Sequence, residues 1–163
     1  MALYAIDGPA GAGKTTFAAK LETELSVDGT VKVIHMDDLY NGWDNALSNA
    51  LSEILDRIST AHLAGREFVI KKFNWHTMQF DREEKIEPTD FLIIEGVGAA
   101  QQIVRETGAT TYWLDIEPEI GLQRVLDRDG AHIEQHMRQW QVDQDKHFGR
   151  DETRENCEFK LTS

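Results

Sequence analysis

Two rhythms of apolar residues alternate along this chain. Ala2-Leu3-Tyr4-Ala5-Ile6 is a short continuous apolar run, the pattern of a strand buried on both faces, and Phe17, Leu21 and Leu25 then recur at helical spacing. The spacing predicts a helix over Lys14 to Leu25, a turn at Asp28-Gly29, and a second strand over Val31 to Met36. Leu47, Leu51, Ile54, Ile58 and Ala61 describe an amphipathic helix that Asp44 is placed to cap and Gly65 to stop. Glu67 to Phe73 alternates like a strand, whereas Asn74 to Thr89 mixes aromatics with charge and is read as an ordered loop. Phe91 to Gly96 is again an apolar strand, followed by a predicted helix over Ala99 to Thr107. Thr111 to Ile116 is the next strand, and after Pro118 a helix carries Ile120, Leu122, Val125 and Leu126. Gly130 interrupts it, a further helix runs from about His132 to His147, and Cys157 to Leu161 is read as a last strand.

Strands alternating with helices predict an α/β fold in three layers, a mostly parallel five-stranded sheet with helices on both faces. Ligands of such sheets bind at the carboxyl ends of the strands. At 163 residues the chain suits a single domain, residues 1–163, with a substrate-side segment over about 73–89 and a lid region over about 121–138.

The turn after the first strand adds chemistry to this frame. Gly8-Pro9-Ala10-Gly11-Ala12-Gly13-Lys14-Thr15 spells the G-x-x-x-x-G-K-[ST] phosphate-binding loop between a predicted strand and a predicted helix. Glycines let the backbone curl with its N–H groups inward as an anion nest, and the helix adds the positive end of its dipole. Gly8, Ala10, Gly11, Ala12, Gly13, Lys14, Thr15 and Thr16 are therefore the candidate nucleotide contacts, with ATP and Mg²⁺ as the expected cofactors. Lys14 would reach the β- and γ-phosphates, and the Thr15 hydroxyl would take a position on the metal.

Two other predicted strands end in acids, at Asp37-Asp38 and at Glu95-Gly96, and parallel packing would gather these ends beside the loop. Phosphoryl transfer needs a phosphate cradle, a metal bridge, a group to orient or deprotonate the nucleophile, and positive charge over the moving group. Glu95 fits a metal carboxylate. Asp37, with Tyr40 and Trp43 close behind, fits the acceptor of the substrate's hydroxyl proton. Adjacent side chains of an extended chain face opposite ways, so Asp38 would point elsewhere. Arg124 and Arg128, four apart on one helix, can project together over the phosphates.

At these residues the chain resembles the P-loop kinases of the uridine kinase and phosphoribulokinase type. The resemblance runs in order through Gly8 to Thr15, Asp37-Asp38-Leu39-Tyr40, Ile93-Ile94-Glu95-Gly96 and Arg124-Val125-Leu126-Asp127-Arg128. It implies a P-loop NTPase fold, Asp37 as catalytic base, Thr15 and Glu95 as Mg²⁺ partners, and Asp44 as an acid gripping the acceptor's hydroxyls. Phe73-Asn74-Trp75-His76 stands about where such kinases hold the base, without the same letters, so Phe73, Trp75 and His76 are candidate substrate contacts beside Tyr40 and Asp44. The arginine-rich turn after the lid helix is shortened to Asp129-Gly130-Ala131. The expected activity is transfer of the γ-phosphoryl group of ATP to a hydroxyl of a small, nucleoside-like acceptor. The alternatives are a nucleoside monophosphate kinase and a non-catalytic nucleotide switch or ATP sensor.

Charge and composition narrow the partners. Seventeen basic against 29 acidic residues give a formal charge of −12, which repels nucleic acid and anionic membrane. One cysteine excludes an intramolecular disulfide, and no signal-peptide pattern precedes the first strand, so a cytoplasmic location is expected. His132 and His136 have a zinc-like spacing on a predicted helix, but no third ligand accompanies them and Glu134 is turned away from their face.

Overall fold

A computed structural model of the chain describes residues 1–162. Among them, β1 (Ala2–Asp7), β2 (Val31–His35), β5 (Phe91–Glu95), β6 (Thr110–Asp115) and β7 (Phe159–Thr162) form one sheet in the order β2-β5-β1-β6-β7, with every pairing parallel. The alternation of side chains across β1 and β5 divides the core. Leu3, Ala5, Leu92 and Ile94 face one side, and Ile6 and Ile93 face the other.

On the second side lies α1 (Lys14–Leu25), burying Ala18 and Leu21. On the first lie α2 (Asn49–Leu63), through Leu51, Leu55 and Ile58, and α5 (Glu134–Asp151), through Met137 and Trp140. The short α3 (Gln102–Arg105) and α6 (Thr153–Asn156) flank the last turn of α5, where Asp151 accepts from Gln102 N at 2.9 Å and from Arg105 Nη1 at 2.6 Å. The remaining helix, α4 (Pro118–Asp129), follows β6. Cys157 is a core residue whose thiol is pushed up to about 12 by burial, which keeps it neutral. Among the described residues no helix is long and apolar enough to cross a membrane.

Three elements differ from the sequence expectation. Residues 74–89 are not a loop: β3 (Phe68–Asn74) and β4 (Gln79–Ile86) form an antiparallel hairpin, Phe68 opposite Ile86 and Asn74 opposite Gln79. The Asn74 side-chain oxygen turns the chain by accepting from His76 N at 2.8 Å, and Met78 takes the left-handed conformation at φ 56°. Of β4 only Ile86 is buried, so the apolar alternation that announces a strand is missing from its sequence.

The helix expected over Ala99 to Thr107 shrinks to the four residues of α3, because Gly98 N and Ala100 N donate to the Asp7 carboxylate at 3.1 and 2.8 Å and leave the preceding segment non-helical. The helix expected from Asp44 begins at Asn49, with Ser48 in the cap position. The intervening residues, Ala46 and Leu47 among them, cross the core as turns.

Candidate active site

The parallel register sets the site. Ile6 and His35 both lie opposite Glu95, so β1, β2 and β5 end at one level and release Asp7, Asp37 and Glu95 on the same edge of the sheet. From β1 the chain turns at Gly8, whose φ of 140° and close approach to the Leu114 carbonyl, 2.2 Å from an added Cβ, leave room only for glycine. The loop closes at Gly13, left-handed at φ 90°, and α1 starts at Lys14. Asp7, fully buried, holds the loop from beneath: its carboxylate accepts from Gly8 N at 2.8 Å as well as from Gly98 and Ala100. Burial pushes its pKa above the ordinary aspartate range, and the three N–H groups pull it back.

Lys14 folds over the loop and donates to the Pro9 carbonyl at 2.8 Å. Burial lowers its pKa, while Asp7, Glu95 and Asp37 work in the opposite direction. The Thr15 hydroxyl donates to Glu95 Oε1 at 3.0 Å, and His35 Nδ1 lies 2.6 Å from the same oxygen. That hydrogen bond raises the His35 pKa, so the imidazole gains the proton it donates more readily.

Asp37 sits in a 3-10 turn, Met36–Asp38, directly after β2. Asp37 is exposed where it opens to the cavity, and the protein gathered around it, then the Glu95 charge, raise its pKa. Asp38 turns away toward Lys72, whose Nζ lies at 3.6 Å.

These groups face one cavity of about 590 Å³, within the roughly 300–1,000 Å³ usual for small-molecule sites. Ala10, Gly11, Gly13, Lys14, Thr15 and Thr16 form its floor, and Arg124 and Arg128 its side. Arg124 Nη1 lies 3.4 Å from the Gly11 carbonyl, and Arg128 forms a two-pronged ion pair with Asp129 at 2.8 and 2.9 Å. α4 reaches the loop because it carries glycine at 121: an added Cβ there would stand 2.6 Å from the Ala10 carbonyl. Gly121 is thus a packing residue within the helix, at the start of the expected lid region.

The far end of the cavity is aromatic, with Tyr40, Trp43, Trp75 and Trp140 joined by Met137 and Val97. Tyr40 Oη donates to the Val97 carbonyl at 2.6 Å and Trp75 Nε1 to the Asp37 carbonyl at 3.0 Å.

Most of the residues singled out in the sequence converge here, and five lie off the cavity. Gly8 and Ala12 shape the loop from behind, Ala12 within the core against α1. Phe73 is a core residue under the hairpin, 4.9 Å from Trp75 and 5.1 Å from Phe80 between ring centres. His76 is exposed in the hairpin turn. Asp44 lies on a separate outer groove beside His136 and Arg138.

The structure adds residues that sequence reasoning did not place in the site: His35, and from α5 Met137, Trp140 and Gln144, the last accepting from Ala10 N at 3.1 Å. Met137, Trp140 and Gln144 share one helical face, a signal that was legible in their spacing of three and four.

The donor set suits Mg²⁺, which prefers oxygen ligands and takes only one or two protein carboxylates alongside substrate phosphates. The Thr15 hydroxyl and Glu95 carboxylate supply such oxygens beside the loop. No cluster of three or more His, Cys, Asp or Glu able to hold a metal occurs among the described residues.

No protein-family profile matches this chain, and no curated protein matches its sequence. Solved structures do. A possible uridine kinase from Bacillus stearothermophilus superposes with a TM-score of 0.70 at 19% identity, over 98% of this chain and 88% of that one. A candidate fructose transport system kinase from Silicibacter sp. TM1040 gives 0.76 at 15% identity, over 98% and 89%. Shikimate kinase from Bacteroides thetaiotaomicron gives 0.56 at 14% identity, over 99% and 85%. Sheet order, loop geometry and these superpositions agree that the chain has the fold of the P-loop kinases.

Proposed function

We propose that this protein is an ATP-dependent kinase that moves the γ-phosphoryl group to a hydroxyl of a small molecule. One observation carries the reading: the phosphate loop, the Thr15–Glu95 pair and Asp37 face the same cavity. In this scheme the loop N–H groups and Lys14 hold the β- and γ-phosphates. Thr15 and Glu95 would hold Mg²⁺, which when bound neutralises developing charge on the phosphates. Asp37 accepts the acceptor's hydroxyl proton as the new O–P bond forms and the β–γ bridge breaks toward ADP. Arg124 and Arg128 flank the transferring group. A cytoplasmic setting is part of the same proposal.

The acceptor end favours this reading over a nucleoside monophosphate kinase. The cavity lining supplies three cations: Lys14 and Arg124 contact the loop and Arg128 is paired with Asp129, so none is set aside for an acceptor phosphate. A nucleoside-like acceptor was expected to meet Phe73, Trp75 and His76, and of these only Trp75 faces the cavity.

Replacing Asp37 with Asn tests the scheme. ATP affinity is expected to survive while phosphoryl transfer falls by about 10²–10⁴, the usual contribution of a positioned general base. Lys14→Ala is expected to impair nucleotide binding itself. Unchanged turnover in the Asp37 variant removes Asp37 from the mechanism, whereas ATP bound with no acceptor phosphorylated by the wild type overturns the kinase reading and leaves an ATP sensor.

A further inference from the structure

We infer that the phosphoryl acceptor is an alcohol carried on a flat apolar body about the size of one or two aromatic rings, not a polyol. This rests on the kinase reading above and narrows its substrate.

Shape comes first. Trp43 meets Trp75 at 5.2 Å and 63°, and Trp140 at 6.3 Å and 80°, while Tyr40 meets Trp140 at 5.1 Å and 62°. Steeply inclined rings in contact make a corner of flat walls, to which a planar apolar body presents its faces and edges. The corner is also held rigid. His136 stacks on Trp43 at 4.9 Å and 8°, Trp75 is tied by its indole N–H to the Asp37 carbonyl, and Phe73 supports Trp75 from the core at 4.9 Å. Preformed walls bind without the ordering cost of loose side chains.

Polar capacity decides the rest. The Tyr40 hydroxyl is donated to Val97 and the Trp75 N–H to Asp37. Trp43 and Trp140 offer indole N–H groups, which donate only. Asp37 and the Tyr40 oxygen are then the lining side-chain acceptors open to a substrate at this end of the cavity, since Glu95 is held by Thr15 and His35 and Asp129 by Arg128. Most hydroxyls of a sugar or a ribose would lose water without gaining acceptors.

The test uses the full chain with Mg·ATP and the probes 2-phenylethanol, 2-naphthalenemethanol, fructose, uridine, uridine 5′-monophosphate and choline. Phosphorylation is followed by phosphorus NMR, and binding of each probe to the Asp37→Asn protein by saturation-transfer NMR. The aryl alcohols are expected to exceed the polar probes in kcat/KM by about 10², the scale on which an apolar pocket rejects an added hydroxyl. Preference for fructose, uridine, the nucleotide or choline overturns the inference and leaves the kinase reading standing. Aryl alcohols that bind while no probe is phosphorylated overturn the kinase reading and leave the pocket assignment standing.

Trp43→Ala is expected to raise the KM for the aryl alcohol about tenfold while moving the KM for ATP less, with Trp43→Phe recovering part of the loss. Equal changes in both KM values, or no recovery with Phe, contradict the aromatic subsite even if the Ala variant is poorly folded.

Discussion

Replacing Asp7 by Asn removes one acceptor oxygen from the most enclosed carboxylate at the site. In the native protein Oδ1 accepts from Gly8 N at 2.8 Å and Gly98 N at 3.1 Å, while Oδ2 accepts from Ala100 N at 2.8 Å. An asparagine can keep its carbonyl toward Gly8 and Gly98, but its NH₂ then faces the Ala100 N–H, donor against donor. Turning the amide around only moves the conflict to two donors instead of one.

An unsatisfied buried donor costs about 1–3 kcal/mol, and the surviving bonds drop from charge-assisted to neutral strength. Against this, Asn carries no charge to desolvate, and burial is the largest influence on the Asp7 pKa. The hydrogen bonds should win, because three backbone donors converge on a group whose surroundings otherwise supply no water: Asp7 has 0% exposure. A net loss of about 1–3 kcal/mol corresponds to a fall in Tm of roughly 2–12 °C for a chain of this size. Scanning calorimetry of the ligand-free protein at neutral pH measures it, and weaker ATP binding should accompany it because Gly8 anchors the loop. A Tm within about 1 °C of wild type would mean that desolvation relief cancels the lost bonds, and the reasoning fails.

Gly121→Ala pits helix propensity, about 1 kcal/mol in favour of alanine, against a Cβ placed 2.6 Å from the Ala10 carbonyl and 3.2 Å from Ile116 Cγ2. Overpacking costs about 1–3 kcal/mol, so the variant should be less stable and show a higher KM for ATP as the loop is pushed. Greater stability with an unchanged KM would contradict the close contact between α4 and the loop. His62, buried on α2 with Nε2 2.7 Å from the Ala2 carbonyl, has its pKa lowered by burial. The unfolded chain then binds the proton more readily than the native one, so stability is full above the ordinary histidine value of about 6.5 and declines as pH falls toward the lowered native value. Urea midpoints should fall more steeply below neutral pH in wild type than in His62→Gln, and parallel curves would refute this.

The grouping of the loop with the acidic strand ends was legible because its signals are local. A glycine-rich turn, a helix start at Lys14 and strands ending at Asp37 and Glu95 are dictated by residues adjacent in the chain, and parallel pairing then brings those ends together. Asp38's separation from Asp37 was expected from strand alternation but arises in the 3-10 turn Met36–Asp38, from which Asp38 faces Lys72. The hairpin strand β4 was not legible, because a strand exposed along most of its length has no apolar alternation to read; its pairing with β3 is settled by Phe68, Ile70 and Ile86 meeting the core.

The shortened α3 illustrates the same divide. Its sequence favours a longer helix, but a buried carboxylate more than 90 residues away, with separations of 91 and 93 to Gly98 and Ala100, claims the backbone donors that the helix start would have used. The acceptor end is likewise tertiary: Trp43, Trp75 and Trp140 come from a turn, the start of a hairpin and a late helix, and nothing in their spacing tells that they touch. Sequence alone determined where the glycine-rich loop and the acidic strand ends lie, since backbone curvature and strand ends are short-range properties. Only the tertiary structure decided what surrounds them, since a pocket wall is made of side chains that meet through the packing of distant elements.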